Sequence, residues 1–414
     1  MSDTMKRNLG GTPAKAPADL KKAVEELWKE YNDIALSIRD KKDQLAKPEN
    51  ALDLPQIKST ISTLYLRAAS ICLSFLDLAR EDKGVESRLI ELGGKSNFLE
   101  ILQKRTDLYF QNAKKYGSSI KSGTPTTTLD DIKGQDDVKD VVRSFVYLAK
   151  HPSLFETYKI QGGLGLMMYG APGTGKTMFA EAIANAMQLP LFVITPADLF
   201  KSYVGASEQA VRQIFDDISA FADGAILFVD ECESIFSRRD KDTKDYKSAV
   251  TSELLQRMNG QGVDGSRRIM IAATNCPWDI DPAYLRYKRF SHMVHITPPD
   301  AAAIESIVRS KLKGVPAEDG LAEFIIDSLD KKMHAAKGSE RFYCSAADIC
   351  GIVENSCRMA VEEMVKRDDG SETPNVIKVS KEMVRKALEN FKPIITEEYM
   401  QRYNNFKPGD DSDR

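Results

Sequence analysis

The sequence predicts an α/β fold: a parallel-sheet domain, followed by a smaller helical domain and preceded by an all-α helical bundle. Three observations carry this. Five short apolar runs (164–169, 191–194, 225–229, 269–273 and 292–296) alternate with helical stretches. Several are apolar almost throughout, as in a parallel sheet covered on both faces. On either side of this block, apolar residues recur every three or four positions instead, the spacing of helices that bury one face.

Each part follows in chain order. Residues 1–17 are rich in Gly, Pro, Ala and Lys and read as a flexible tail. Residues 18–116 read as the bundle. Leu20, Val24, Leu27, Tyr31, Ile34 and Ile38 share one helix face. Ile57, Ile61, Leu64, Ala68, Ile71, Phe75 and Leu78 share another, after Asp53 and Pro55 at the helix start. A third helix is expected from Asn97, with Glu100 as its capping-box partner and Phe98, Leu102, Tyr109 and Tyr116 on its apolar face. Three such helices predict a small antiparallel bundle. Residues 117–128 (GSSIKSGTPTTT) read as a linker. The sheet domain is expected over 129–299 and the small helical domain over 300–391, with a loop at 330–341. A C-terminal helix (about 396–403) and a polar end fill 392–414.

The chain has 414 residues, 58 Lys+Arg against 61 Asp+Glu and a net charge of −3. At about 150 residues per domain this predicts two to three domains. The balanced charge gives no argument for nucleic acid or membrane binding. No run approaches the roughly 18 apolar residues of a spanning helix, and the polar first residues lack a signal-peptide core. The six cysteines are scattered with no CxxC pair, so a reducing, cytoplasmic location is expected. His292 and His295 form an HxxH in a strand-like segment, a structural pattern rather than a metal site.

Four motifs carry chemistry. Gly170-Ala-Pro-Gly-Thr-Gly-Lys-Thr177 fits GxxxxGK[ST] between a strand and a helix. The loop Pro172–Gly173–Thr174–Gly175, with backbone amides at Gly173, Thr174 and Gly175, and the helix start at Met178 suit phosphate. Lys176 would reach the β- and γ-phosphates and Thr177 would ligate Mg2+. Ile226-Leu-Phe-Val-Asp-Glu231 ends an apolar strand in two acids: Asp230 to hold Mg2+, Glu231 as general base. Asn275, at the end of Ala272-Ala-Thr-Asn275, could orient water or the γ-phosphate, or could equally be an ordinary Asn turn. Arg286 and Arg289 offer planar donor forks for phosphate, although by composition alone they read as a solvated basic turn.

GAPGTGKT, ILFVDE, IAATN and DPAYLRYKRF, in this order, resemble an AAA ATPase. Leu254-Leu-Gln-Arg-Met-Asn-Gly260, IAATNCPWDIDPA and the terminal stretch with Tyr399 and Tyr403 resemble the meiotic clade of katanin, spastin, fidgetin and the ESCRT-disassembling ATPase. The resemblance covers about residues 128–408. It implies a P-loop AAA+ module using ATP and Mg2+. Asp131, Ile132 and Lys133 would hold adenine through their backbone. Asn275 matches the first sensor. Arg286 and Arg289 match arginines that complete a neighbour's site, which implies a homo-oligomer, usually a hexamer. Ser345-Ala-Ala-Asp348, with Ala346 and Ala347, matches the motif closing over the nucleotide. Phe200-Lys-Ser-Tyr-Val-Gly205 resembles a first pore loop, with Lys201, Tyr203 and Val204 gripping a threaded polypeptide; a second pore loop would fall near 242–247. Ser202 and Ala346 depart from the family pattern, and the stretch from Val365 to Val376 is too short for the ESCRT branch's β insertion.

The implied function is a protein-remodelling motor that threads or pulls polypeptide through a central pore, with the bundle binding an adaptor or substrate. A nucleic-acid-associated motor is disfavoured by Tyr203 and Val204 and by a region 1–120 with 20 basic and 17 acidic residues. An ATP-dependent structural switch would not require Glu231, Asn275, Arg286 and Arg289 together.

Overall fold

The computed structural model describes residues 17–46, 54–115, 120–122, 125–151, 153–160, 164–199, 206–219, 221, 224–237, 254, 268–285, 289–290, 292–334, 341–366 and 376–407. Among the described residues the bundle has four helices, not three: α1 (Pro17–Leu45), α2 (Leu54–Glu81), α3 (Lys83–Gly93) and α4 (Phe98–Lys115). The unexpected α3 has complete end signals. The Asp82 carboxylate accepts the Gly84 and Val85 amides, and Gly94, in the left-handed region at φ 65°, returns its own amide to Ile90 and Glu91. The capping box expected between Asn97 and Glu100 does not form. Glu100 binds Lys104 at 2.6 Å instead.

Trp28, partly buried, packs on the bundle core, with ring centroids 5.8 Å from Tyr31, 5.9 Å from Phe75 and 5.6 Å from Phe98. The Tyr31 and Tyr109 hydroxyls join at 2.7 Å, and Arg105 donates to Tyr31. Residues Thr60–Arg80 of α2 are long and apolar enough to cross a membrane by length and composition. In the fold this stretch is the bundle's middle, with Ile61, Ala68, Cys72 and Phe75 buried.

The segment 117–128 is more than a linker. Ile120–Ser122 forms β1 and pairs antiparallel with the strand Leu191–Ile194. Thr126 and Thr127 carbonyls accept the Asn185 amide, and the Thr127 hydroxyl donates to Glu181 at 2.8 Å. Backbone pairing, which composition does not report, decides this element. Next come α5 (Asp136–Lys150), β2 (Gly165–Tyr169), α6 (Lys176–Met187), β3 (Leu191–Ile194), α7 (Ala206–Ser219), β4 (Ala225–Val229), β5 (Arg268–Thr274) and β6 (His292–His295). The sheet order is β1-β3-β4-β5-β2-β6, with β2 to β6 parallel. Apolar side chains on both faces are buried: Phe179, Ile183 and Phe145 on one side, Ile214, Phe215 and Phe236 on the other.

The bundle packs against this domain. Phe110 of α4 stacks on Phe221 at 6.2 Å, and Phe221 meets Phe192 of β3 edge-on at 5.8 Å. Arg80 of α2 donates to Gln188 at 2.6 Å. The bundle and the second face of the sheet share one continuous apolar core.

The C-terminal unit contains α8 (Ala301–Leu312), α9 (Leu321–His334), β7 (Phe342–Tyr343), α10 (Ala346–Lys366), α11 (Lys381–Glu389), β8 (Ile395–Thr396) and α12 (Glu397–Asn405). Helix α9 runs on to His334, so the loop expected at 330–341 begins later. Lys331–Asp327 and His334–Asp330 contacts support its last turn. Antiparallel pairing of β7 with β8 ties the C-terminal segment to the helical unit.

Candidate nucleotide site

The sequence-predicted residues converge at the carboxyl ends of β2, β4 and β5, where an open α/β sheet forms its ligand crevice. β2 leads into the glycine loop and α6 leads out of it. Thr174 is buried, and its hydroxyl donates to the Ala171 carbonyl at 2.9 Å. Gly173 has φ +75°, a conformation that a side chain resists. A Cβ there would also lie 2.7 Å from the Ser345 hydroxyl and 2.9 Å from the Ala347 methyl. The loop and the helical unit therefore meet at this glycine, whose carbonyl accepts the Ala347 amide at 3.1 Å.

Lys176 is buried, with its ammonium donating to the Gly170 and Ala171 carbonyls at 2.9 and 2.8 Å. Burial brings its pKa down to about 8, against the opposing pull of Asp230 and Glu233. Phosphate oxygens would add counter-charge at this ammonium. The Thr177 hydroxyl lies 3.5 Å from an Asp230 oxygen. A hydroxyl and a carboxylate are the hard oxygen donors that Mg2+ takes, so these two residues fit that ion. Asp230 also accepts the Glu231 amide at 3.0 Å. Glu231 is exposed and left-handed at φ 49°, where the chain turns sharply off β4. Asn275 follows β5 directly and is half-buried.

On the other side, Asp131 accepts the Thr128 amide and hydroxyl, both at 2.8 Å, and these bonds hold its carboxyl below the usual range. Ile132 is buried against the sheet core, and Lys133 reaches back to the Asp130 carbonyl. This anchoring leaves the backbone of 131–133 as a fixed edge. Met178 is partly exposed. Ser345 and Asp348 form a reciprocal cap at the start of α10, with bonds of 2.8 to 3.1 Å, which places Ala346 and Ala347 beside the loop.

Arg289 is half-buried and donates to the Ala283 carbonyl of its own turn, and no bond joins it to the glycine loop among the described residues. Arg286, the pore-loop residues Lys201, Tyr203 and Val204, and the second pore loop near 242–247 lie outside the described residues. No group of metal-ligating His, Cys, Asp and Glu side chains occurs among the described residues. His292 and His295 sit on β6, where burial pushes both pKa values down.

Sequence reasoning passed over two residues here. Gln135 is left-handed at φ 57°, and its amide donates to the Thr297 carbonyl at 3.1 Å and towards that of Thr174 at 3.5 Å. It braces the exit of β6 against the glycine loop. Glu233, one turn past the paired acids, contributes negative charge at Lys176. An acid two residues beyond Glu231 was the available signal; Gln135 had none.

Residues 166–298 match the family model described as "ATPase family associated with various cellular activities (AAA)". The chain is 30% identical over 297 residues to a cell division cycle protein 48 homolog of Archaeoglobus fulgidus, covering 71% of this chain and 37% of that protein. It is 31% identical over 242 residues to Protein SAV of Sulfolobus acidocaldarius, covering 58% and 29%. With the ATP-dependent zinc metalloprotease FtsH of Mycobacterium leprae it shares 29% over 278 residues, covering 66% and 34%. The chain thus spans little more than a third of the length of these relatives, at most. Among solved structures, the FIGL-1 AAA domain superposes with a TM-score of 0.56 at 22% identity, over 69% of this chain and 90% of that one. The same domain in complex with ADP superposes with a TM-score of 0.55 at 22% identity, over 69% and 91%. Fold, site geometry and family match agree: residues 166–298 form a domain similar to those of the AAA ATPase family.

Proposed function

We propose that the chain hydrolyses ATP with Mg2+ as one subunit of a ring-like homo-oligomer, usually six in proteins of this kind, and uses the cycle to pull polypeptide through a central pore. The observation that carries this is the convergence of Lys176, Thr177, Asp230 and Asn275 at one sheet end, under a lid already bonded to Gly173. Lys176 and the loop amides would hold the phosphates. Thr177 and Asp230 would hold Mg2+, whose charge offsets that on the β- and γ-phosphates. Glu231 would take the proton of the attacking water as the γ-phosphorus–oxygen bond to ADP breaks, releasing inorganic phosphate.

Arg289 supports shared sites, because its guanidinium is tied to its own turn and not to its own glycine loop. Arg286 would join it at the neighbour's γ-phosphate. Tyr203 and Val204 would grip substrate by non-directional apolar contact, with Lys201 beside them. The bundle would receive the adaptor or substrate. Meiotic-clade character is supported by the likeness in fold to the FIGL-1 AAA domain and by the terminal helix.

The test combines two variants in the assembled protein. Glu231→Gln should retain ATP and stall, holding its polypeptide substrate. Arg289→Ala should bind ATP as the wild type does and lose turnover, with activity returning when it is mixed with a Lys176 variant. Full turnover by Arg289→Ala in the assembled state would refute the shared site.

A further inference from the structure

The end of the chain returns to the nucleotide site. The Tyr403 hydroxyl, on α12, donates to the Asn275 carbonyl at 2.6 Å, across 128 positions of sequence. A carbonyl can only accept, so the single hydroxyl proton of Tyr403 is committed to it, and the Tyr399 hydroxyl at 3.2 Å must donate in its turn. The ring is 1% exposed. Trp278 packs against it at 5.2 Å and His295 at 5.3 Å. His295 stacks in parallel on Tyr169 at 5.0 Å, and Tyr169 is the last residue of β2 before the glycine loop. One tyrosine therefore braces both arms of the crevice: by hydrogen bond to the end of β5, and through a ring stack to the end of β2.

The same segment is tied to the lid. Thr396 caps α12 through the Tyr399 amide at 3.1 Å, and its neighbour Ile395 pairs with Tyr343. The Tyr343 hydroxyl donates to Glu397 at 2.6 Å. Two residues after Tyr343 comes Ser345, which starts the helix whose Ala347 amide meets Gly173. The described residues make no hydrogen bond to the Asn275 side-chain amide; its backbone alone is held, by Tyr403.

We propose that Tyr403 is a positioning residue for ATP hydrolysis: its hydroxyl sets the backbone of Asn275, and α12 couples that setting to the placement of the lid. This rests on the ATPase reading above. Ring packing supplies the hold of α12 on the domain, whereas the hydroxyl fixes where the Asn275 amide stands. A small misplacement of such a group costs catalysis far more than it costs binding.

Tyr403→Phe separates the two, because it keeps the ring and removes the hydroxyl. The measurements are ATPase kcat and KM, ADP affinity by calorimetry, and thermal melting with and without ADP, each on the full chain. The expected result is a kcat about 10- to 100-fold lower, with KM and ADP affinity within about twofold of wild type. The double variant Asn275→Ala/Tyr403→Phe should be no slower than Asn275→Ala alone, since the hydroxyl acts only through Asn275. Wild-type kcat in Tyr403→Phe would overturn the proposal, as would losses that multiply in the double variant. So would a uniform fall in ADP affinity and melting temperature with kcat unchanged, which marks a merely structural bond. A wild-type chain that binds ADP but never turns over ATP would instead overturn the ATPase reading, and this inference with it.

Discussion

Gly173→Ala should loosen the contact between the glycine loop and the helical lid. Two costs add at this position. A non-glycine residue in the left-handed region costs about 1–2 kcal/mol. The new methyl would then sit 2.7 Å from the Ser345 hydroxyl and 2.9 Å from the Ala347 Cβ. Ser345 cannot swing away freely, because its hydroxyl is engaged with Asp348 at 2.8 Å and 3.1 Å. Overpacking of this kind costs about 1–3 kcal/mol. The lid can relieve the second cost by opening, which breaks the bond from the Ala347 amide to the Gly173 carbonyl. Amide hydrogen exchange reads this directly. The Ala347 amide should exchange about 5- to 150-fold faster, the equivalent of 1–3 kcal/mol of opening. Gly94→Ala is the control for backbone strain, with φ +65° and nothing within 4 Å of the built Cβ; it should leave Ala347 untouched. Adding Ala347→Gly to Gly173→Ala removes one of the two clashes and should restore part of the protection. If Ala347 exchange in Gly173→Ala matches wild type, the lid does not rest on the glycine loop as described.

Two further outcomes follow from packing and charge. His295 and His292 are held below their ordinary pKa by burial, with Lys176 adding to the effect at His295. The unfolded chain therefore binds protons below about pH 6.5 that the folded chain refuses. Stability should fall as pH drops from 7.5 to 5.5 and be level above that range; urea midpoints measure it, and a His295→Gln variant with an equally steep fall would exclude His295 as the source. Phe110→Ala removes the ring that stacks on Phe221 between bundle and sheet domain. A loss of about 3–5 kcal/mol is expected from the cavity, shared between bundle folding and docking, so calorimetry should show the bundle melting ahead of the sheet domain. One unshifted transition would refute the docking role.

Much of the core was legible in the sequence. The five apolar runs become β2 to β6 because buried parallel strands need no alternation, and periodicity alone located the long helices. The glycine loop was legible because its chemistry constrains spacing. What escaped was set by contacts distant in sequence or by very short elements. Helix α3 buries only Val85 and Leu89, too few for a periodic signal, yet Asp82 and Gly94 mark both of its ends. β1 is three residues long and exists through pairing with β3. The bond from Tyr403 to Asn275 joins chain segments whose proximity depends on the whole fold. Ser345 and Asp348 were visible as a motif, but their cap also explains why that motif suits the start of a helix.

The pairing of β1 with β3 bears on how the chain can be divided. β3 would otherwise end the sheet with unpaired amides and carbonyls along Leu191–Ile194, three of whose four side chains are buried. An uncovered strand of that kind invites pairing with another chain. Cutting the bundle away after Ser122 would remove β1 and expose that edge. A cut before Ile120 would keep the strand as a cover, so the boundary that best preserves the sheet domain falls near the start of the 117–128 segment and not after it.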